Sequence, residues 1–186
     1  MQKYSDKAVI LHTYTQQAGR RNFMVYGAAS RRKRATLPAP MTLVEVVWDD
    51  HSARELPALR DIHTLYVPAH ADDVRRQCVA LFLAEVLFRI LRHPLPDDDL
   101  FRLVEQTAVE LDHTDRPQDL HLRCLVSLAE CLGFAIDAEE HPELLALPAS
   151  REQRQQQLVA LCDYLRLHVE EMPEIASLPI LMEVFD

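Results

Sequence analysis

Apolar and polar residues follow one period over the first third of the chain and another over the rest. From Lys7 onward the run AVILHTYT leads into Gln17-Ala18-Gly19 and then RNFMVYG, which ends at Gly27. Both runs are short, rich in β-branched and aromatic residues, and bounded by glycine, which predicts two strands and a tight turn. A third run, Met41 to Trp48, follows Pro38 and Pro40. In it Leu43, Glu45 and Val47 alternate with Val44, Val46 and Trp48, the period of two expected of a half-buried strand. After the polar turn at Asp49–Ser52, residues 55–62 predict one more strand, weakened by Pro57. Residues 1–66 therefore predict a small antiparallel β module of three or four strands.

Beyond residue 66 the period lengthens to that of helices. Asp72 or Asp73 can cap a helix running to about Arg92. Its apolar residues (among them Val79, Phe82, Leu83, Val86 and Ile90) cover most of the circumference, which predicts a central helix. His93-Pro94-Leu95-Pro96 stops it, and Asp97-Asp98-Asp99 opens a second helix ending near Asp112, where acidic residues suit the N-terminus. Pro117 begins a third, closed by Gly133. Ser150-x-x-Gln153 is a capping-box start for a fourth, reaching about Glu171. Residues 134–149, with Pro142 and Pro148, read as a loop, and a short helix is expected at about 178–185 after Met172-Pro173. The fold class is α+β: a strand domain over 1–66 and an all-helical domain over 67–186.

Charge sharpens this division. The 186 residues carry a net charge of −9. Residues 1–66 hold 10 Lys/Arg against 6 Asp/Glu, whereas residues 67–186 hold 10 against 23. A basic front half and an acidic rear half point to modules with different partners. Between Arg20 and Arg34 the basic residues are Arg20, Arg21, Arg31, Arg32, Lys33 and Arg34, with no acid among them. An isolated charge run is usually a solvated loop. Here it stands in an acidic protein and beside a sheet carrying Tyr14, Phe23 and Tyr26. That combination suits a single nucleic-acid strand, with cations replacing counterions at phosphates and rings stacking on bases. On the third helix Arg123 stands among Leu120, Leu122, Cys124 and Val126. It reads either as a surface arginine with its stem laid along apolar neighbours or as a cation beside a groove for an acidic-hydrophobic peptide.

Other chemistries find little footing. The four cysteines, Cys78, Cys124, Cys131 and Cys162, form no C-x-x-C pair and sit at apolar helical positions, so reduced core thiols are expected and no metal. The nine histidines are scattered without metal-ligand spacing. Only three glycines occur, too few for a phosphate-cradling loop, and no nucleophile–base frame is recognisable, so no enzyme and no cofactor are expected. The opening residues lack the pattern of a signal peptide, and no apolar run approaches the ~20 residues of a membrane span. A cytoplasmic, nucleoid-associated protein is the expectation.

The order of these parts resembles RecO-type DNA repair proteins. KYSDKAVILHTYTQQAGRRNFMVYGAASRRKR is similar to the family's second and third strands and basic loop, and Pro40–Val46 to its next strand. CVALFLAEVLFRILR and LRCLVSLAECLGF resemble two helices of its helical domain. LCDYLRLHVEEMPEIASLPILMEVF resembles the end of RecO proteins of a Bacteroides-like lineage. The resemblance implies an N-terminal OB-fold, here incomplete, followed by a helical domain. It implies single-stranded DNA binding and annealing, and work with RecR, in some lineages RecF, to load RecA onto strands coated by single-stranded-DNA-binding protein. Arg20, Arg31, Arg32, Lys33 and Arg34 match the DNA-contacting positions, and Arg123 matches the position that takes the acidic tail of the coating protein. Three departures stand out. The family's first strand, ahead of Lys3-Tyr4-Ser5-Asp6, is missing; Ala29 replaces a usual arginine; and the zinc-binding cysteines of some relatives are absent, their segment shortened to 134–149.

Overall fold

The computed structural model describes residues 2–5, 8–26, 37–49, 56–68, 72–92 and 95–185. They divide into two compact units, one drawn from residues 1–67 and 92–97, the other from 68–91 and 98–186. The fold is α+β, with two small antiparallel sheets ahead of the helices.

In the strand unit, β2 (Ala8–Thr15) and β3 (Gly19–Tyr26) pair without a break from Ala8↔Tyr26 to Thr15↔Gly19. The turn between them is chemically specified. Gly19 takes the left-handed conformation at φ +60°, which a Cβ disfavours. The Thr15 hydroxyl accepts from the Ala18 N–H at 3.1 Å and donates to the Gly19 carbonyl at 3.0 Å. Ahead of this hairpin, where the family's first strand reads as missing from this chain, the two-residue β1 (Gln2–Lys3) pairs with Val9 and Ile10. It supplies hydrogen-bond partners to part of an edge that would otherwise be open.

The second sheet is a ribbon of β4 (Leu43–Trp48) and β5 (Leu59–Tyr66). Glu45 and Val47 are exposed while Val44, Val46 and Trp48 are half-buried, which is the alternation read from sequence. The last strand begins at Leu59, four residues later than expected from sequence, and Pro57 accounts for the shift. Proline has no N–H to give a ladder, and here its carbonyl accepts from the Met24 N–H at 2.9 Å, with Ala58 bridging Met24 in parallel. That bond ties β3 to the start of β5. Fully buried Phe23 packs on Trp48 with ring centroids 5.4 Å apart.

The helical unit contains α1 (Val74–Ile90), α2 (Asp98–His113), α3 (Pro117–Cys131), α4 (Pro142–Leu145), α5 (Arg151–His168) and α6 (Leu178–Val184). The caps are the ones the sequence specifies. Asp73 accepts from the Arg75 and Arg76 N–H groups at 3.0 and 3.1 Å, and the Ser150 hydroxyl accepts from the Gln153 N–H at 3.2 Å. The Gln153 side chain reaches back one residue further than a capping box requires, to the Ala149 N–H at 2.9 Å. The single turn α4 lies inside the segment read as a loop. Four residues carry no period to read, and Gln157 on α5 holds the turn by donating to the Leu144 and Ala146 carbonyls at 2.8 and 2.9 Å.

The centre of the unit is α3. It packs against α1, α2 and α5, whereas α1, for all its apolar residues, leaves Leu81 45% exposed. Enclosure of α3 buries polar groups as well. Asp119 is satisfied by Arg154 at 2.8 Å and Arg116 at 2.6 Å. His121 lies between the rings of Phe82 and Phe185, at 5.9 and 6.3 Å. Glu85 on α1 secures the C-terminal helix, accepting from the Ala176 N–H, the Ser177 N–H and the Ser177 hydroxyl at 3.0, 2.9 and 2.7 Å. Burial alone would raise the Glu85 carboxyl, but the Ser177 and Ala176 donors and Arg89 outweigh it and hold it below the usual range. Among the described residues no helix is long and apolar enough to cross a membrane, and no three metal-type side chains converge.

Burial pushes the His121 imidazole down to about 4; nearby Asp119 and a bond to the Pro117 backbone raise it but do not compensate, and Arg154 lowers it further. The folded state therefore keeps this ring neutral where the unfolded chain, near 6.5, takes up a proton. Stability is lost as pH falls from 6.5 towards 4, by about 2 kcal/mol between pH 7 and 5 from this group. Urea unfolding at pH 7, 6 and 5 should show that decline. His121→Phe should flatten it, and an equal decline in the variant would remove His121 as its source.

Candidate nucleic-acid interface

Arg20 and Arg21 are consecutive on β3 and so lie on opposite faces of the hairpin. The register sets Arg20 across from Tyr14, with His12 and Asn22 next along the same face, and sets Arg21 across from Thr13. On the first face the His12 ring nitrogen Nδ1 and the Asn22 side-chain oxygen are 2.8 Å apart. Burial lowers the His12 pKa; the Asn22 bond opposes it, and the N-terminal charge and Arg20 add to it. Burial also lowers the Arg20 pKa, and the charge of Arg92 lowers it further. On the second face the Thr13 hydroxyl donates to the Arg21 carbonyl at 2.9 Å. The Arg21 Nε is enclosed with no hydrogen-bond partner among the described residues.

The other expected DNA contacts, Arg31, Arg32, Lys33 and Arg34, lie outside the described residues. Of the three aromatic side chains thought able to stack on bases, Phe23 is fully buried and Tyr14 half-buried, while Tyr26 is 61% exposed. Phe23 is a core residue, and Tyr26 is the ring at the surface.

Arg123 belongs to the helical unit and is ion-paired with Glu110 of α2 at 2.6 Å, both side chains being about half exposed. A pair of that exposure contributes roughly 0–1 kcal/mol, so another carboxylate can replace Glu110 at small cost.

Sequence reading missed Arg92. The sequence pattern places it at the end of a helix in the acidic half, but α1 ends at Ile90 and residues 92–97 group with the strands. The signal was the pair of prolines at 94 and 96, since a proline biases the residue before it away from the helical region.

Comparison with known proteins bears on what this arrangement serves. The family model for the N-terminal part of recombination protein O matches residues 1–67, the strand unit's main segment. A protein of Phocaeicola vulgatus named DNA repair protein RecO is 25% identical, the match covering 98% of this chain and 94% of that one. The chain is similar to RecO proteins along nearly its whole length. A RecO protein of Porphyromonas gingivalis matches at 25% identity over the same shares, and one of Flavobacterium johnsoniae at 27% over 74% of this chain and 60% of its own. The Phocaeicola alignment runs over 226 residues against 186 in this chain, so that RecO protein carries internal segments absent here.

The hairpin turn that presents Arg20 has little tolerance. A Cβ added at Gly19 would stand 2.2 Å from the Leu95 carbonyl oxygen, at a φ where a side chain is already strained. Gly19→Ala should lower the unfolding free energy by about 2 kcal/mol or more, from the left-handed penalty and the displaced backbone together. Denaturant unfolding measures it, and a loss below 0.5 kcal/mol, the usual surface value, would show that the turn and Leu95 give way freely.

Proposed function

We propose that this chain is a recombinational DNA repair protein that binds single-stranded DNA through its strand unit, promotes annealing and acts as an adaptor rather than an enzyme. In this reading it helps load RecA onto strands coated by single-stranded-DNA-binding protein, with RecR and in some settings RecF as partners. The observation that carries the reading is the placement of cations. In an acidic chain similar to RecO proteins, the acid-free run from Arg20 to Arg34 belongs to the segment matched by the N-terminal family model. The DNA contacts proposed are Arg20, Arg21, Arg31, Arg32, Lys33 and Arg34, in an OB-like module over 1–66. In the helical domain over 67–186, Arg123 is proposed to receive the acidic tail of the coating protein, with a tail carboxylate taking the place of Glu110.

A second reading has its own observation. Residues 67–186 carry 23 acidic against 10 basic residues, a field that repels a phosphate backbone and suits an adaptor that binds only proteins. Salt separates the two. Six cations engaged on single-stranded phosphates give a log–log slope near −4, at about −0.7 per contact. Fluorescence anisotropy of a labelled single strand should show this slope. A variant with Arg31, Arg32, Lys33 and Arg34 changed to alanine should lose about 0.7 of it per residue removed. No salt-sensitive binding at low ionic strength would overturn the DNA reading in favour of the protein-only adaptor.

A further inference from the structure

The helical unit is interrupted in sequence. After Leu91 the chain contributes residues 92–97 to the strand unit and returns to the helices at Asp98. Leu95 lies against the tip of the β2–β3 hairpin so closely that Gly19 has no room for a side chain. A Cβ there would meet the Leu95 carbonyl oxygen at 2.2 Å, its carbonyl carbon at 2.5 Å and its nitrogen at 3.0 Å. Arg20 follows Gly19 directly on β3, and Arg92 precedes Leu95 by three residues, exposed at the start of the run. The two guanidinium groups act on one another electrostatically, in addition to the burial that perturbs Arg20.

We infer that Arg92 and Arg20 form one phosphate-binding site of the strand unit, the hairpin supplying one arginine and the 92–97 run the other. The inference rests on the single-stranded DNA reading above and names a contact beyond it. Two arginines held near each other repel, and an anion between them reverses that cost. A phosphodiester presents two non-bridging oxygens, and each planar guanidinium offers paired N–H donors to such oxygens, which a lysine cannot do. Asp97 closes the same run with an exposed carboxylate, which weakens the local positive field and limits anion binding in the absence of a strand. Both arginines keep their existing interactions in the free protein; the strand competes for them.

The test uses the full chain and a labelled oligothymidine in anisotropy titrations across salt. Arg92→Ala should weaken binding roughly fivefold at low salt and reduce the slope by about 0.7. Arg92→Lys should restore the slope but not the full affinity. Arg20→Ala should act similarly, and the double variant should lose less than the two losses combined, as expected of residues sharing one ligand. Asp97→Asn should tighten binding. Arg166→Ala, which removes an equal charge from a surface pair with Asp163 in the helical unit, should change nothing. Thermal melts of each variant establish that it is folded. If the unaltered chain binds the oligonucleotide and Arg92→Ala binds it equally, this site is wrong and the broader reading stands. If the unaltered chain does not bind at all, both fall together.

Discussion

The enclosure of α3 is the constraint from which the rest of the helical unit follows. A helix contacted by α1, α2 and α5 has little surface left for polar side chains, yet α3 carries Asp119 and His121 in its first turns, exposed to only 5% and 1%. A buried carboxylate must be paired, and removing one member of such a pair commonly costs about 3–5 kcal/mol. Arg154 reaches Asp119 from α5 and Arg116 reaches it from just before α3. The register of α5 against α3 is therefore fixed by charge as well as by Leu125, Leu128, Leu158 and Leu161. Packing of leucines alone tolerates sliding; a bidentate demand at Asp119 does not.

The C-terminal helix depends on the same centre. With seven residues α6 is far too short to be stable alone. Leu181, 1% exposed, anchors it, and Phe185 stacks over His121 on α3. Its orientation comes from Glu85, whose carboxylate takes up the N–H groups at its start that no helical carbonyl can satisfy. The docking thus combines the apolar anchor of Leu181, which is indifferent to pH, with a contact that requires an ionised Glu85 carboxylate.

How far the sequence revealed this depends on the kind of signal each feature carries. Strands β2, β3 and β4 and the four long helices are legible because periodicity runs through each and a cap or breaker marks an end: Asp73, Pro117, Ser150, Gly19. What could not be read rests on partners remote in sequence. Pro57 looked like a weak point inside a strand, and its carbonyl instead receives Met24, which moves β5 along the chain. The turn α4 exists because Gln157 reaches it, and a single glutamine in a helix announces nothing. The candidate interface shows the same limit. Arg20 and Arg21 look equivalent in a list of cations, but the alternation of a strand puts them on opposite faces, one beside His12 and Tyr14, the other beside Thr13.

Summing charge by sequence halves also assumes that each half stays together in space. The run 92–97 breaks that assumption. Proline is excluded from helix interiors, and Gly19 is the residue that lets the Leu95 backbone approach the hairpin. A larger residue at 19 would disturb both the turn and the seat of the run, although neither shows any pattern linking it to the other in sequence. Arg92 is therefore a residue of the acidic half by number and of the basic unit by position. The short-range field that an incoming phosphate meets is set by position, because screening at physiological salt confines it to about 8 Å. The net charge of −9 governs long-range approach, where it opposes DNA. In the proposed DNA-binding reading the arginines at the hairpin would set what a strand meets at contact, and a chain can satisfy both conditions at once.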